Sequence, residues 1–377
     1  MKLYEYVIRR LILAVFVLLS VSIIVFWLLR GPLPPESVLA PYVTPKMTAI
    51  AKLELAQSLG VATGSCPSYS AFTSYAAGCV VPLWQQYFAW LWNALNGNWG
   101  YSFLPSISGT GETTWEVFWG RFPYTAELAI GGSVLTILIA LPLGIISATH
   151  NNRLPDHLSR LFALLGYSVP IFVLGLMFQL AFGLYIRVPV GNNSLGLFPI
   201  SQAFSTNCFL CIPNPGSITT YTGAPLWDSI LSLNPAGVWD SLVALALPAF
   251  TLAVTTIAAL TRVLRSSMLE AMKQDYVLLA RSKGVRERVV IYRHALRNAL
   301  LPAITIAGLI VAFLFGGVVL IETVFSWSGI GAAAVEASIS FDVNFLELYI
   351  LVTALIIVLA NLAVDVIYSK LDPRIRY

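Results

Sequence analysis

Long unbroken apolar runs, rather than strand-like alternation, organise this chain. They lie at about Leu11 to Leu29, Tyr124 to Thr149, Leu161 to Ile186, Ser241 to Thr261, Leu300 to Phe325 and Leu348 to Tyr368. Each is near or above the roughly 20 residues a helix needs to cross a bilayer. Helices are the expected element, because backbone polar groups in lipid must be satisfied within the segment. The alternating ten-residue strands of a membrane barrel do not occur. The pattern predicts an all-α polytopic membrane protein with six transmembrane helices. Arg9 and Arg10 precede the first run as they would in a signal peptide. The run is too long for that, and Arg30-Gly-Pro-Leu-Pro-Pro follows without a small-residue cleavage site, so it reads as a retained anchor.

Composition agrees with this reading. Hydrophobic residues make up 58% of the 377 and charged residues only 11%, against the roughly 25% usual in soluble domains. The cations are unevenly placed. Three precede Leu11, two lie at Arg153 and Arg160, nine fall between Arg262 and Arg297, and three close the chain, so 17 of the 22 Lys and Arg share one side. Positive-inside bias puts that side, with both termini, in the cytoplasm. Residues 1–30 then form an N-terminal transmembrane helix and 31–123 an extracytoplasmic segment. Residues 124–377 form a five-helix core with an outer loop at 187–240 and a cytoplasmic loop at 262–301. The cations lie between spans rather than on a free basic domain, which argues against nucleic acid as a partner.

All four cysteines fall in the outer segments. Pairing Cys66 with Cys79 and Cys208 with Cys211 is the local solution. Free thiols and a four-cysteine zinc site are the alternatives, but the 66/79 spacing fits a zinc knuckle badly, and no metal is expected. Enzyme signatures are absent. There is no Walker A pattern, no H-E-x-x-H, and the three histidines (His150, His157, His294) lie in predicted cytoplasmic loops. His294 is expected to fix loop structure rather than to titrate.

The loop at 262–301 is the most structured of the inward ones. Met268, Met272, Tyr276 and Leu279, then Val285, Val289, Tyr292 and Leu296, recur at helical spacing on either side of Gly284. Both series predict an apolar helix face with charges opposite. Gly284 suits the left-handed residue that closes the first helix, and Arg281 and Lys283 suit its negative end. Pro302 is expected to open the fifth span. The prediction is a helix–Gly–helix projection for docking a protein; a polybasic contact with anionic membrane lipids is the blander reading.

The run Gln274-Asp275-Tyr276-Val277-Leu-Leu-Ala280-Arg281-Ser-Lys283-Gly284, followed by Arg293-His294-Ala295-Leu296-Arg297-Asn298-Ala299-Leu300-Leu301-Pro302, resembles the EAA loop of ABC importer permeases. More narrowly it is similar to the dipeptide/oligopeptide branch. Leu278-Leu279-Ala280 stand where the general motif has Glu-Ala-Ala, a departure usual for that branch. The resemblance extends through Gln86-Tyr87, Gly100-Tyr101-Ser102, Pro142-Leu-Gly144, Leu197-Phe-Pro199, Glu322-Thr-Val-Phe-Ser326-Trp327-Ser-Gly329-Ile-Gly331, Asn361-Leu-Ala-Val-Asp365 and Asp372-Pro373-Arg374. It implies that Asp275, Tyr276, Ala280, Arg281, Lys283, Gly284, Arg293, His294, Arg297 and Asn298 form an ATPase-coupling loop. It further implies a second homologous permease, two ATP-binding cassette ATPase subunits holding ATP and Mg, and an extracytoplasmic substrate-binding protein. The chain itself would carry no cofactor. Peptides are the implied cargo, with oligosaccharides or a standalone secondary transporter as alternatives. A secondary transporter would want inverted repeats and interrupted spans, and the sequence suggests neither.

Charges inside the apolar runs are costly and therefore informative. Glu322 near the outer end of span five, and Asp365 near the inner end of span six with Asn361 one turn before it, are candidates for the translocation path. Pairing with a neighbouring helix is the structural alternative. Pro170 is expected to bend span three, with Ser168 satisfying a freed carbonyl.

Overall fold

The computed structural model describes residues 3–371 except 33, 40, 41, 44, 45, 77, 105–111, 191, 192, 201–207 and 213–218. Side chains at 3–7, 35, 37, 190, 193, 311–313, 315–317, 365 and 367–371 lie outside the described set. The helices are α1 (Leu3–Arg30), α2 (Ala49–Ser58), α3 (Tyr69–Thr73), α4 (Leu83–Leu95), α5 (Thr114–Thr149), α6 (Leu154–Ser168) and α7 (Ile171–Phe178). A π-helical extension of α7 covers Gln179–Tyr185, and the antiparallel hairpin β1 (Arg187–Val190) and β2 (Asn193–Gly196) follows, with Arg187 opposite Gly196. Then come α8 (Pro225–Leu231), α9 (Pro235–Ala271), α10 (Asp275–Ser282), α11 (Glu287–Val289), α12 (Leu296–Val324), α13 (Ile330–Ser340) and α14 (Val343–Leu371).

Among the described residues, α1, α5, α9 and α14 are long and apolar enough to cross a membrane. The bent pair α6–α7 adds a fifth if it counts as one span. The predicted fifth run is the 29-residue helix α12. Large apolar side chains such as Ile12, Phe16, Ile24 and Leu28 on α1, and Leu138 on α5, face outward. On each helix, large apolar side chains exposed in this way suit lipid rather than water.

Two expectations are corrected here. Pro170 bends the third run as expected, but no interruption was expected and the bend is a break: α6 and α7 meet at 105° around Val169 and Pro170. Pro170 has no N–H to continue the helix and disfavours helical backbone before it; Ser168 Oγ donates to Leu164 O at 2.8 Å. Pro302 lies inside α12 rather than at the start of a span, because helical backbone is nearly continuous from Glu287.

The chain divides into two compact units. One comprises residues 1–10, 123–332 and 356–377. Its centre is α9, started by Asn234, whose side chain accepts from Gly237 N, and by Pro235 at the first helical position. Within it, α9 packs against α12, α6, α8 and α7. Small residues let helices approach closely: a Cβ added at Gly144 on α5 would stand 2.8 Å from the Leu264 side chain of α9. The buried hydroxyls of Thr136 and Thr256 meet at 2.7 Å in the same contact.

The other unit comprises residues 11–122 and 333–355. Leu39, Ala56, Val61 and Phe72 form its small core beside the Cys66–Cys79 disulfide. Phe26, Tyr87 and Trp90 form a second cluster. Arg30 grips the buried Glu347 with two bonds, Nε–Oε1 at 2.7 Å and Nη2–Oε2 at 2.8 Å. The other disulfide, Cys208–Cys211, belongs to the first unit.

Candidate functional site

The loop between α9 and α12 is built by two interruptions of helix. The first falls at Met272 to Gln274, after which α10 restarts in a different phase. Met268 is therefore buried and Met272 partly so, while Tyr276 and Leu279 point outward. The single apolar face predicted through all four residues does not exist. On α10 the buried positions are Val277 and Ala280, and the outward ones are Tyr276, Leu278 and Leu279. The break explains the failure, since helical spacing holds only along continuous helix.

The second interruption is at Gly284, where φ is +72°. Gly284 N donates to Arg281 O at 2.9 Å and Val285 N to Ala280 O at 3.2 Å. This is the paired closure of a helix whose next residue is left-handed. Arg281 reaches across the turn to Glu287, with Nη2–Oε1 at 2.6 Å and Nε–Oε2 at 3.2 Å. Beyond it, a π-helical stretch from Val290 to Ala295 widens the turn and shifts the register. Val290, Ala295 and Ala299 are consequently the buried residues, and Val289 and Tyr292, predicted to pack, are exposed. Val277 and Ala280 join the same core cluster as Val290, Ala295, Leu264 and Met268.

Most predicted loop residues lie on the surface: Asp275, Tyr276, Arg281, Lys283, Gly284, Arg293, Arg297 and Asn298 are exposed, and His294 is half-buried. Ala280 is the exception, placed inward where it ties α10 to the rest of the fold. The surface thus combines a short aromatic and aliphatic ridge with cations, on a base of small buried residues.

Behind this loop stands an anchor that sequence reading missed. Asp156, wholly buried at the start of α6, accepts from Arg265 Nε at 2.6 Å and Nη2 at 2.9 Å. It also accepts from Arg160, from Ser147 Oγ at 2.6 Å and from Asn152 N at 2.9 Å. In the sequence Arg160 and Arg265 stand out only as two of the cations that mark one side of the membrane. Their one visible signal is that an acid stands among the cations of the segment before span three.

The path candidates fare differently. Glu322 is wholly buried; it accepts from Thr125 Oγ1 at 2.5 Å and from Ala332 N at 2.8 Å, at the first turn of α13. A Cβ at Gly329 or Gly331 would collide with its carboxylate. These are the contacts of a helix cap that folds the Ser326 to Gly331 turn. Among the described residues Asn361 Oδ1 is buried without a hydrogen-bond partner, and the Asp365 side chain lies outside those described. Pro170 sits at the α6–α7 bend. Glu127, on α5 within the second apolar run, was overlooked although an acid in such a run is itself the signal. It is buried, with Oε1 accepting from Leu226 N at 3.1 Å.

Helices of membrane-spanning length and a basic loop closed by Gly284 are the features that a multi-pass membrane protein brings to the comparison with known families. Residues 140–377 match the family described as binding-protein-dependent transport system inner membrane component, and the chain belongs to that family. It is similar to the dipeptide transport system permease protein DppB of Alkalihalophilus pseudofirmus, 36% identical over 376 residues, covering 99% of each chain. It is also similar to DppB of Escherichia coli K12, 36% identical over 296 residues (78% of this chain, 82% of that one). The oligopeptide transport system permease protein AppB of Bacillus subtilis is 29% identical over 372 residues, 99% of each. The protein is therefore a multi-pass plasma-membrane permease subunit of an ABC importer, and transport is its role. A subunit of such a system works with ATPase and substrate-binding partners.

Proposed function

We propose that the chain is one of two paired permease subunits of an ATP-driven importer for short peptides. It has six spans with both termini cytoplasmic, and residues 31–123 and 187–240 face outside. An extracytoplasmic binding protein delivers the peptide, and two ATPase subunits, which hold ATP and Mg, drive its release inward. The observation that carries this reading is the α10 surface, where Tyr276, Leu278 and Leu279 stand exposed beside Arg281 and Lys283. Apolar side chains held outward by buried Val277 and Ala280 suit a protein groove better than lipid headgroups, which cations alone would serve. The full-length similarity to dipeptide and oligopeptide permeases supports peptides as the cargo.

Mechanically, ATP binding closes the ATPase pair and draws the two docked loops together, which favours an outward-facing arrangement; release after hydrolysis reverses it. The loop can bias that equilibrium only by contacting the ATPases differently in the two states. Val277 and Ala280 would pass the motion to α9 and α12 through the cluster they share with Leu264 and Val290. The test is uptake of a labelled dipeptide into proteoliposomes holding the complete importer with its binding protein. ATP-dependent uptake supports the reading, and uptake indifferent to ATP defeats it.

A further inference from the structure

The first unit contains a cavity of about 680 Å³, bordered by α5, the π-helical extension of α7, α8 and α9. Its wall is almost wholly apolar, with Val134, Phe182, Trp227, Leu245 and Phe250 among the lining side chains. Among the described residues no Lys or Arg contributes. One acid does: Glu127, only 3% exposed. Its Oε1 accepts from Leu226 N, and its Oε2 is buried with no hydrogen-bond partner among the described residues.

A buried carboxylate oxygen without a partner is expensive, and such groups are ordinarily satisfied by a counter-charge or a donor. The nearby acid cannot supply one. Asp228 is occupied by Thr222 N and Oγ1, both at 2.7 Å, and by Gly223 N at 3.0 Å. It also adds negative potential at Glu127. Among the described residues of this unit nothing donates to Oε2, which leaves it open to a donor group brought by a ligand. The volume and the apolar wall with one polar group are those of a small-molecule pocket. A single intruding side chain from another subunit would leave most of that space unfilled.

We infer that this cavity is a subsite for the amino-terminal end of a peptide, with Glu127 Oε2 binding the free ammonium while the apolar wall takes the first side chain. The inference rests on the importer reading and extends it to a residue that selects cargo. Its physical content is that the charged amine, not the peptide bond, is read here. A charge-assisted bond to a carboxylate that is itself buried discriminates strongly against a blocked amine.

The test uses the complete importer in nanodiscs, both nucleotide-free and trapped with ATP and vanadate. The probe is a dipeptide carrying a diazirine on its first side chain, photolysed and mapped by mass spectrometry. The expected result is labelling of cavity residues such as Val134 and Leu245 in at least one state. Leucyl-leucine should protect against it, and N-acetyl-leucyl-leucine should protect about tenfold less well. Glu127→Gln should lower labelling by a similar factor, and Val134→Trp, which fills the space, should abolish it. Protection by the acetylated peptide equal to that by the free one overturns the inference without relying on any variant. So does labelling outside the cavity, or a zero-length carbodiimide cross-link joining Glu127 to a lysine of a partner subunit. ATP-driven uptake of leucyl-leucine, measured on the same preparation, separates the two levels. Uptake with labelling that ignores the amine sinks this subsite alone, whereas absence of uptake sinks the importer reading.

Discussion

Asp156 and Arg265, 109 residues apart in sequence, form a two-bond ion pair at 2.6 and 2.9 Å that ties the start of α6 to the last turns of α9. Asp156 is wholly buried, while Arg160, its other basic partner, is about half exposed. The two arginines should therefore differ in importance. Asp156→Asn leaves Arg265 facing a neutral amide in a part-buried site and should cost about 3 kcal/mol. Arg160→Ala should shift melting much less, because the exposed guanidinium is solvated in either case. Melting of the purified protein in detergent checks both, and equal shifts would show that Arg265 is not the principal partner.

The Glu322 cap makes a steric prediction. Gly329→Ala and Gly331→Ala each place a methyl against the Glu322 carboxylate, and the second also meets the Val319 backbone. Overpacking of this kind costs about 1–3 kcal/mol. Gly120→Ala on α5, with nothing within 4 Å of the added atom, is the control and should be silent. Glycine at 329 and 331 thus serves close approach to a buried acid, whatever its part in transport.

These two sites show what the sequence made legible. The helices were readable because apolar runs of membrane-spanning length have few other uses. Gly284 was readable because a left-handed closure needs so specific a residue, and it closes α10 as expected. The outward side chains of α10 were not, because the turn at Met272 to Gln274 and the π-helical Val290–Ala295 reset the register without a proline or glycine to announce it. Nor were the ion pairs, since Arg265 finds Asp156, and Arg30 finds Glu347, only through tertiary packing.

Acid should loosen the segment leading into α8 before the long helices. Burial alone would raise the Asp228 carboxyl, but bonds from the Thr222 N–H and hydroxyl, with those from Tyr221 N and Gly223 N, prevail and hold it below the usual carboxylate range. A depressed folded value means the stabilisation is fully present above pH about 4 and is lost as pH falls through that lower value. Hydrogen exchange at Tyr221, Thr222 and Gly223, corrected for intrinsic rates, should accelerate only in that acid window. Asp228→Asn should show fast exchange at neutral pH and no further acid step. A persisting step would point to another titrating group.

Gly284→Val should damage the loop more than the protein. A β-branched residue at φ +72° is strained by roughly 1–2 kcal/mol. A Cβ there meets nothing within 4 Å, so packing is not disturbed. ATP-dependent uptake should fall at least tenfold, while the melting temperature of the isolated chain moves by only a few degrees. Unchanged uptake would mean that the left-handed turn does not matter to coupling.

The docking role of α10 is tested most directly by co-purification of the tagged full-length chain from native membranes in mild detergent, comparing wild type with Leu279→Asp. Leu279 is 57% exposed and contributes little to the fold, so the variant should keep its melting temperature. The account predicts that Walker A-bearing ATPase subunits accompany the wild type and are lost, about tenfold or more, with Leu279→Asp, while a second permease is retained by both. ATPase subunits recovered equally with both chains, or with neither, would contradict it.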